Sequence, residues 1–164
     1  MVPGINVMMF TMRIVSGGQT GADRAALDAA LELGLETGGW VPLGRQAEDG
    51  SIPDRYPNLQ EAESELPAVR TELNVRDSDA TVIFSHGALT GGSALTESLA
   101  RKLAKPLLHM DLSRVSEQNA SAALCSWLVR HRPETLNVAG PRESKDPAIH
   151  AATKRVLIAA LGGS

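Results

Sequence analysis

The sequence predicts a single three-layer α/β domain in which five parallel strands, in the order 2-1-3-4-5, are covered by helices on both faces. Three observations predict it. Short apolar runs at residues 12–16, 39–41, 81–84, 106–110 and 136–139 alternate with amphipathic helical stretches, which implies right-handed crossovers and a parallel sheet. Thr81-Val82-Ile83-Phe84 is continuously apolar, as suits a strand covered on both sides. Glycine-rich turns follow the first and third strands, on the carboxyl edge where such sheets collect ligands.

Composition bounds the function. The 164 residues, 43% of them apolar, suffice for one domain with a real core. Residues 1–11 read as an N-terminal extension and 12–164 as the domain proper. The extension has no positively charged side chain and no long apolar segment, and no run elsewhere approaches membrane-spanning length. A cytoplasmic protein without membrane association is therefore expected. Sixteen basic residues are scattered among nineteen acidic ones, for a net charge of -3, which argues against a nucleic-acid partner. Cys125 stands alone, so no internal disulfide forms, and its apolar neighbours place it on a packed helix face.

The first strand runs into Ser16-Gly17-Gly18-Gln19-Thr20-Gly21, and a helix follows from about Gly21 to Leu33. Glycines here permit close backbone approach, and the first helical amides lack intrahelical acceptors, so an anion is the expected guest. Ala22-Asp23 stands where a P-loop needs Lys-Ser/Thr, and Ser16 stands where a dinucleotide fingerprint needs its first glycine, so neither motif applies. Thr20 and Asp23 suggest a capping box, and Gly34 a left-handed stop; Leu27, Ala30 and Leu31 form the predicted buried stripe.

The second strand, near Gly39-Trp40-Val41, leads into a long loop, 42–66, with little periodicity. Trp40, Ile52, Tyr56 and Leu59 give that loop something to bury, so it reads as a lid or oligomer arm. Arg45, Glu48 and Asp49 read as solvated loop charge. Pro67 opens a helix to Arg76 on which Arg70 and Asn74, four apart, share a face that can converge on one oxyanion.

The third strand ends in Ser85-His86-Gly87-Ala88-Leu89-Thr90-Gly91-Gly92-Ser93, with Ser93 the expected N-cap and Leu95, Leu99 and Leu103 the periodic stripe of the next helix. His86 has no obvious catalytic partners and reads as surface. After the fourth strand a helix over Ser116–His131 turns Ala120, Ala123, Leu124, Trp127 and Leu128 inward. The fifth strand ends in Gly140-Pro141-Arg142-Glu143-Ser144, and Asp146-Pro147 caps the last helix. In the order 2-1-3-4-5 the ligand sits between strands one and three, and strand five lies roughly 14 Å from strand one. His109, His131 and His150 share no metal-ligand spacing, so no protein-held metal is expected.

Ser16 to Asp23, Gly38-Gly39-Trp40-Val41-Pro42, Arg70-Thr71 with Asn74-Val75, Thr90 to Thr96 and Leu136 to Ser144 together resemble the molybdenum cofactor carrier proteins, over a span from Met12 to about Leu161. The resemblance implies a Rossmann-like domain, a homo-oligomer (dimer or tetramer), and storage or handover, without catalysis, of molybdenum cofactor: a molybdopterin bearing a phosphate. Molybdoenzymes are the implied recipients. On this reading the cofactor-binding set is Gly17, Gly18, Gln19, Thr20, Gly21, Asp23, Arg24, Arg70, Asn74, Gly91, Gly92, Ser93, Thr96, Arg142 and Ser144. More distantly the layout resembles the lysine-decarboxylase-like phosphoribohydrolases, whose Pro-Gly-Gly-x-Gly-Thr-x-x-Glu corresponds here to Thr90 through Ser98. Its carboxylate falls one residue early, at Glu97, about 100° around the helix. Hydrolysis of a nucleoside monophosphate by Glu97, or nucleotide sensing, is accordingly the alternative.

Overall fold

A strand with apolar residues on both sides needs cover on both sides, and this requirement orders the sheet. The computed structural model describes residues 12–162. Its strands are β1 (Arg13–Val15), β2 (Glu36–Val41), β3 (Gln46–Ala47), β4 (Gly50–Ser51), β5 (Leu59–Glu61), β6 (Ala80–Ser85), β7 (Leu107–Asp111) and β8 (Thr135–Ala139). Its helices are α1 (Ala22–Leu33), α2 (Pro67–Arg76), α3 (Gly91–Lys102), α4 (Glu117–His131) and α5 (Ile149–Leu161). Six strands form one parallel sheet in the order β5-β2-β1-β8-β6-β7, and β3 and β4 form a separate antiparallel hairpin. Helices α1, α5 and α4 pack together on one face of the sheet; α2 and α3 pack together on the other. The three-layer α/β class stands.

The strand order is corrected. The last strand, β8, is not at the edge: it pairs with β1 on one side and β6 on the other. Leu136, Asn137 and Val138 are all buried, and the Asn137 amide reaches the Thr81 hydroxyl of β6 at 3.3 Å. The edges are β5 and β7, and His109 and Asp111 of β7 tolerate water. Neighbouring strands β8 and β6 send their chains to opposite faces, so the ligand crevice falls between them, next to β1.

The segment 42–66 is corrected as well. Besides the hairpin it holds β5, which extends the sheet beyond β2 through Gly39–Leu59 and Val41–Glu61 register. Ile52 and Tyr56 are buried with Leu27 and Val41 in a second small core, which is why so aperiodic a stretch is ordered. Tyr56 donates to the Asp28 carboxylate at 2.6 Å, and His150 of α5 meets its other oxygen at 2.8 Å. Two- and three-residue strands carry too few side chains to show a period.

Several faces differ from the periodic reading. Leu31 and Leu103 are exposed, Ala123 lies on the exposed side of α4, and Leu95 and Leu99 are half-buried. The buried face of α3 is Ser93, Thr96 and Ala100: small residues let this helix lie close over β6. Thr90, not Ser93, occupies its N-cap position. Helix α1 begins after Gly21 without a side-chain cap, so the Thr20–Asp23 capping box is not formed; Gly34 does end it in the left-handed conformation, φ 72°. Ala148, not Asp146, stands at the N-cap of α5, although the Asp146 carboxylate accepts the Ala148 amide at 3.1 Å. Ser116 caps α4 as expected, accepting the Asn119 amide at 3.1 Å. The Cys125 thiol is half-buried and points at the Ala160 carbonyl of α5. The expected extension 1–11 lies outside the described residues.

Replacing Leu136 on the central strand with Ala should cost about 2–5 kcal/mol in urea unfolding, whereas Leu103→Ser at the exposed position just after α3 should stay within about 0.5 kcal/mol.

Candidate functional site

Three chain segments converge on the crevice: the turn after β1, the turn after β6 leading into α3, and the turn after β8 leading into α5. They enclose a hollow of about 160 Å³, walled on its remaining side by the start of α2. Gln19 and Asp23 belong to the first segment, Gly92, Ser93 and Thr96 to the second, Arg142 and Lys145 to the third, and Arg70 and Thr71 to α2. Both α2 and α3 begin at the hollow, and neither has a side-chain cap. The start of α3 presents partial positive charge there, whereas α2 opens on Pro67, which has no N–H, and its Val69 amide is taken by Leu66 O. A Cβ on Gly92 would meet nothing within 4 Å, so at this point the α3 backbone opens onto free space.

Arg70 dominates the electrostatics. Its side chain is mostly buried, 16% exposed, and its Nε is buried without a hydrogen-bond partner. The guanidinium lies 3.7 Å from the buried Asp23 carboxylate, beyond the ~2.7–2.9 Å of a charge-assisted hydrogen bond. Gly17 exists for this guanidinium, since a Cβ there would stand 2.2 Å from Arg70 Nη1. Burial pushes the Asp23 carboxyl above its usual range and outweighs the opposing pull of Arg70 and of the Gln19 amide, which donates to Oδ2 at 3.2 Å.

The β1 turn itself is closed. Pro141 O accepts the Ala22 amide at 3.2 Å, and a Cβ on Gly21 would stand 2.3 Å from that same oxygen. Gly18 is packed under Ile52 and Val41. The expected anion at the start of α1 meets an occupied amide: the Pro141 carbonyl of the turn after β8 takes the Ala22 N–H, because β8 adjoins β1. Thr20 is buried, and its hydroxyl accepts the Glu143 amide at 3.1 Å and donates to Glu48 Oε1.

Glu48 and Asp49 are exposed, as expected of loop charge, and both are also engaged. They form the tip of the β3–β4 hairpin. Glu48 accepts the Ser144 amide at 3.0 Å and its hydroxyl at 2.6 Å, and lies 3.5 Å from Arg142. Asp49 holds Arg24 through both guanidinium nitrogens, at 2.5 and 2.8 Å, while Arg24 Nε donates to Gly18 O at 3.1 Å. Hydrogen bonds from Ser144 and Thr20 hold the Glu48 carboxyl below its usual range, and Arg24 does the same for Asp49. The hairpin is thus strapped across the site by two carboxylates. The connection is Glu48-Asp49, and the glycine that follows it, Gly50 at φ 117°, was the sequence signal for it.

Of the expected site residues, Gln19, Asp23, Arg70, Gly92, Ser93, Thr96 and Arg142 line the hollow together. Gly17 lines an adjoining hollow. Thr20, Arg24 and Ser144 serve the strap, and Gly91 sits beside the Lys145 ammonium. Asn74 does not converge with Arg70, since its amide exchanges hydrogen bonds of 2.8 and 2.9 Å with the backbone of Trp40. Arg142 is a neighbour of the β1 turn and not the distant residue that the expected order implied. Two groups escaped the sequence reading: Lys145, and Asp146, which meets His86 Nδ1 at 2.7 Å. Glu97 lies outside the lining and pairs with Arg101 at 3.4 Å, so hydrolysis by Glu97 gains no support. Among the described residues no cluster of His, Cys, Asp and Glu could hold a metal ion, and no helix is long and apolar enough to cross a membrane.

A family model described as the circularly permutated YpsA SLOG family matches residues 14–161. A solved structure from Syntrophus aciditrophicus SB, named "Putative molybdenum carrier protein", is 52% identical to this chain, with a TM-score of 0.90 over 93% of this chain and 96% of that one. Comparison with curated proteins found no match.

The strap carboxyls have lowered folded values, so their hold is complete above the ordinary carboxylate range and is lost as pH falls through the lowered values. The protection of the amides of residues 46–51 against hydrogen exchange, taken relative to the intrinsic rate at each pH, should fall below about pH 4 before that of the sheet amides does. At neutral pH Glu48→Ala should accelerate the same amides about fivefold, a modest figure because the carboxylate is partly solvated. Unchanged exchange in the variant would mean that the strap is held by other contacts.

Proposed function

The chain belongs to the circularly permutated YpsA SLOG family, and from that premise we propose that it is a carrier of a phosphate-bearing pterin, the molybdenum cofactor, held at the hollow between α2, α3 and the β8 turn. The observation that carries this reading is Arg70, a largely buried guanidinium whose Nε has no partner and whose carboxylate neighbour is out of hydrogen-bond range. An oxyanion is the group that satisfies a planar fork of N–H donors. The uncapped start of α3 and the cations of Lys145 and Arg142 support the same chemistry, as does the name of the Syntrophus aciditrophicus relative.

Each residue then has a defined task. Arg70 and the Gly91 and Gly92 amides take the anionic end of the cargo, Ser93 and Gln19 border it, and Asp23 keeps the guanidinium in place from below. The strap formed by Glu48 and Asp49 covers the neighbouring turn. Molybdoenzymes are the recipients this role implies, and a homo-oligomer is the form in which we expect it to act.

Protein purified from cofactor-replete cells should carry molybdenum and a pterin phosphate, and Arg70→Ala should lower that occupancy about tenfold or more while keeping the wild-type circular dichroism spectrum. Metal and pterin analysis of both proteins checks this. Absence of both from the wild type, together with failure to protect added cofactor from oxidation, would remove the carrier reading.

A further inference from the structure

The features that mark Arg70 recur at Arg13, on the first residue of β1. Arg13 and Val15 face the α2 side of the sheet, while Ile14 joins the core on the opposite face. Arg13 Nε is buried without a hydrogen-bond partner, and the exposed Glu36 carboxylate approaches it only to 3.8 Å. A glycine makes room for the guanidinium: a Cβ on Gly38 would stand 2.1 Å from Arg13 Nη2, as one on Gly17 would stand 2.2 Å from Arg70 Nη1. Arg45 also has a buried Nε without a partner, but its Nη2 donates to the Ile52 and Pro53 carbonyls at 3.3 and 3.1 Å, so that guanidinium is committed to the fold. Arg13 has no such tie among the described residues.

The guanidinium opens onto a cleft of about 60 Å³ under the carboxyl end of α2, lined also by Val15, Trp40, Gln60, Asp77 and Thr135. Helix α2 has ten residues, ~15 Å of length, and begins at the anion hollow, so the cleft is a separate place at its other end. The other charges of this corner are matched. Asp77 accepts Trp40 Nε1 at 2.9 Å and two nitrogens of Arg76 at 2.7 and 2.9 Å. Asp79 accepts the Glu134 and Thr135 amides at 3.1 and 2.8 Å, and the Lys105 ammonium donates to the Val75 and Ser78 carbonyls at 3.2 and 2.6 Å. Arg13 is left as the charge in search of a counterpart.

A planar fork of N–H donors is matched by a carboxylate, which it binds through two parallel hydrogen bonds. Asp77 in the same wall repels a doubly charged guest more than a singly charged one. Val15 and the indole of Trp40 offer carbon surface to the methylene behind such a carboxylate. The cleft is also much smaller than the hollow of about 160 Å³, so it takes one end group of a larger molecule. We infer that it is a docking point for a protein partner that inserts the carboxylate of an exposed aspartate or glutamate side chain between Arg13 and Trp40. Charge complementarity and size select this occupant. The inference goes beyond the carrier reading and does not rest on it, since the cargo residues lie at the other end of α2.

The chain has two tryptophans, and their indole N–H resonances separate the cleft from the rest of the protein: Trp40 lines it and Trp127 lies on α4. In isotope-labelled protein, titration with acetyl-Gly-Glu-Gly-amide should move the Trp40 resonance saturably and leave that of Trp127 in place. The glutamine counterpart of the peptide should bind at least ~10-fold more weakly, and acetate at least ~3-fold more weakly. Arg13→Gln should abolish the response, and Gly38→Ala, whose new methyl displaces the guanidinium, should weaken it at least ~10-fold. Far-ultraviolet circular dichroism shows whether each variant is folded, and the comparison of the three probes on the wild type decides by itself where one is not. A Trp40 resonance that ignores the glutamate peptide, an equal response to the glutamine peptide, acetate binding as tightly as the peptide, or a full response in folded Arg13→Gln would overturn the inference.

Discussion

The geometry of the site depends on one packing constraint: β8, buried toward both layers, lies inside the sheet. Between β1 and β6 its Leu136 and Val138 are buried on one face and Asn137, which reaches the Thr81 hydroxyl, on the other. From that position the turn after β8 lands on the start of α1 and closes it with the Pro141 carbonyl. The same turn brings Arg142 and Lys145 to the hollow. An edge position would have carried both cations to the far side of the sheet. The family's description as circularly permutated accords with this arrangement, in which the last strand of the chain pairs beside the first.

Charge is distributed unevenly around the crevice. At the β1 turn the cations are satisfied from within: Arg24 is held bidentately by Asp49, and Arg142 faces Glu48. At the hollow Arg70 is not: it approaches the Asp23 carboxylate at 3.7 Å, and the burial that raises the Asp23 carboxyl weakens the claim of that carboxylate on the arginine. A buried cation with an unmet donor favours an incoming anion, because the desolvation cost has already been borne by the fold. The overall charge of -3 is therefore a poor guide to this site, whose local sign is positive.

The hairpin strap joins the two regions. Its β3 strand walls the hollow beneath it through Gln46 and Ala47, and its tip carboxylates grip the turns after β1 and β8. Gln19 is the shared member: its side-chain oxygen accepts the Glu48 amide at 2.9 Å, and the residue also lines the central hollow. A change at the strap is thus one residue, Gln19, from that hollow. The second small core of Leu27, Val41, Ile52 and Tyr56 anchors the base of the hairpin, which leaves its tip held by polar contacts alone.

The sequence by itself determined the alternation of strand and helix, the parallel sheet, the glycine turns at its carboxyl edge and Arg70 as a candidate anion ligand. These follow from local periodicity and residue chemistry, which neighbours along the chain reveal. It also held an unread hint of strand order, since His109 and Asp111 suit an edge and Leu136 to Ala139 do not. The tertiary structure decided which strands pair, that Asn74 serves Trp40, that Glu48 and Asp49 are partners of Thr20, Ser144 and Arg24, and that Lys145 stands beside α3. Each of those pairings joins residues far apart in sequence, by 96 positions for Glu48 and Ser144. No local pattern carries such information, because it arises only when separate segments compete for the same burial and the same hydrogen-bond donors.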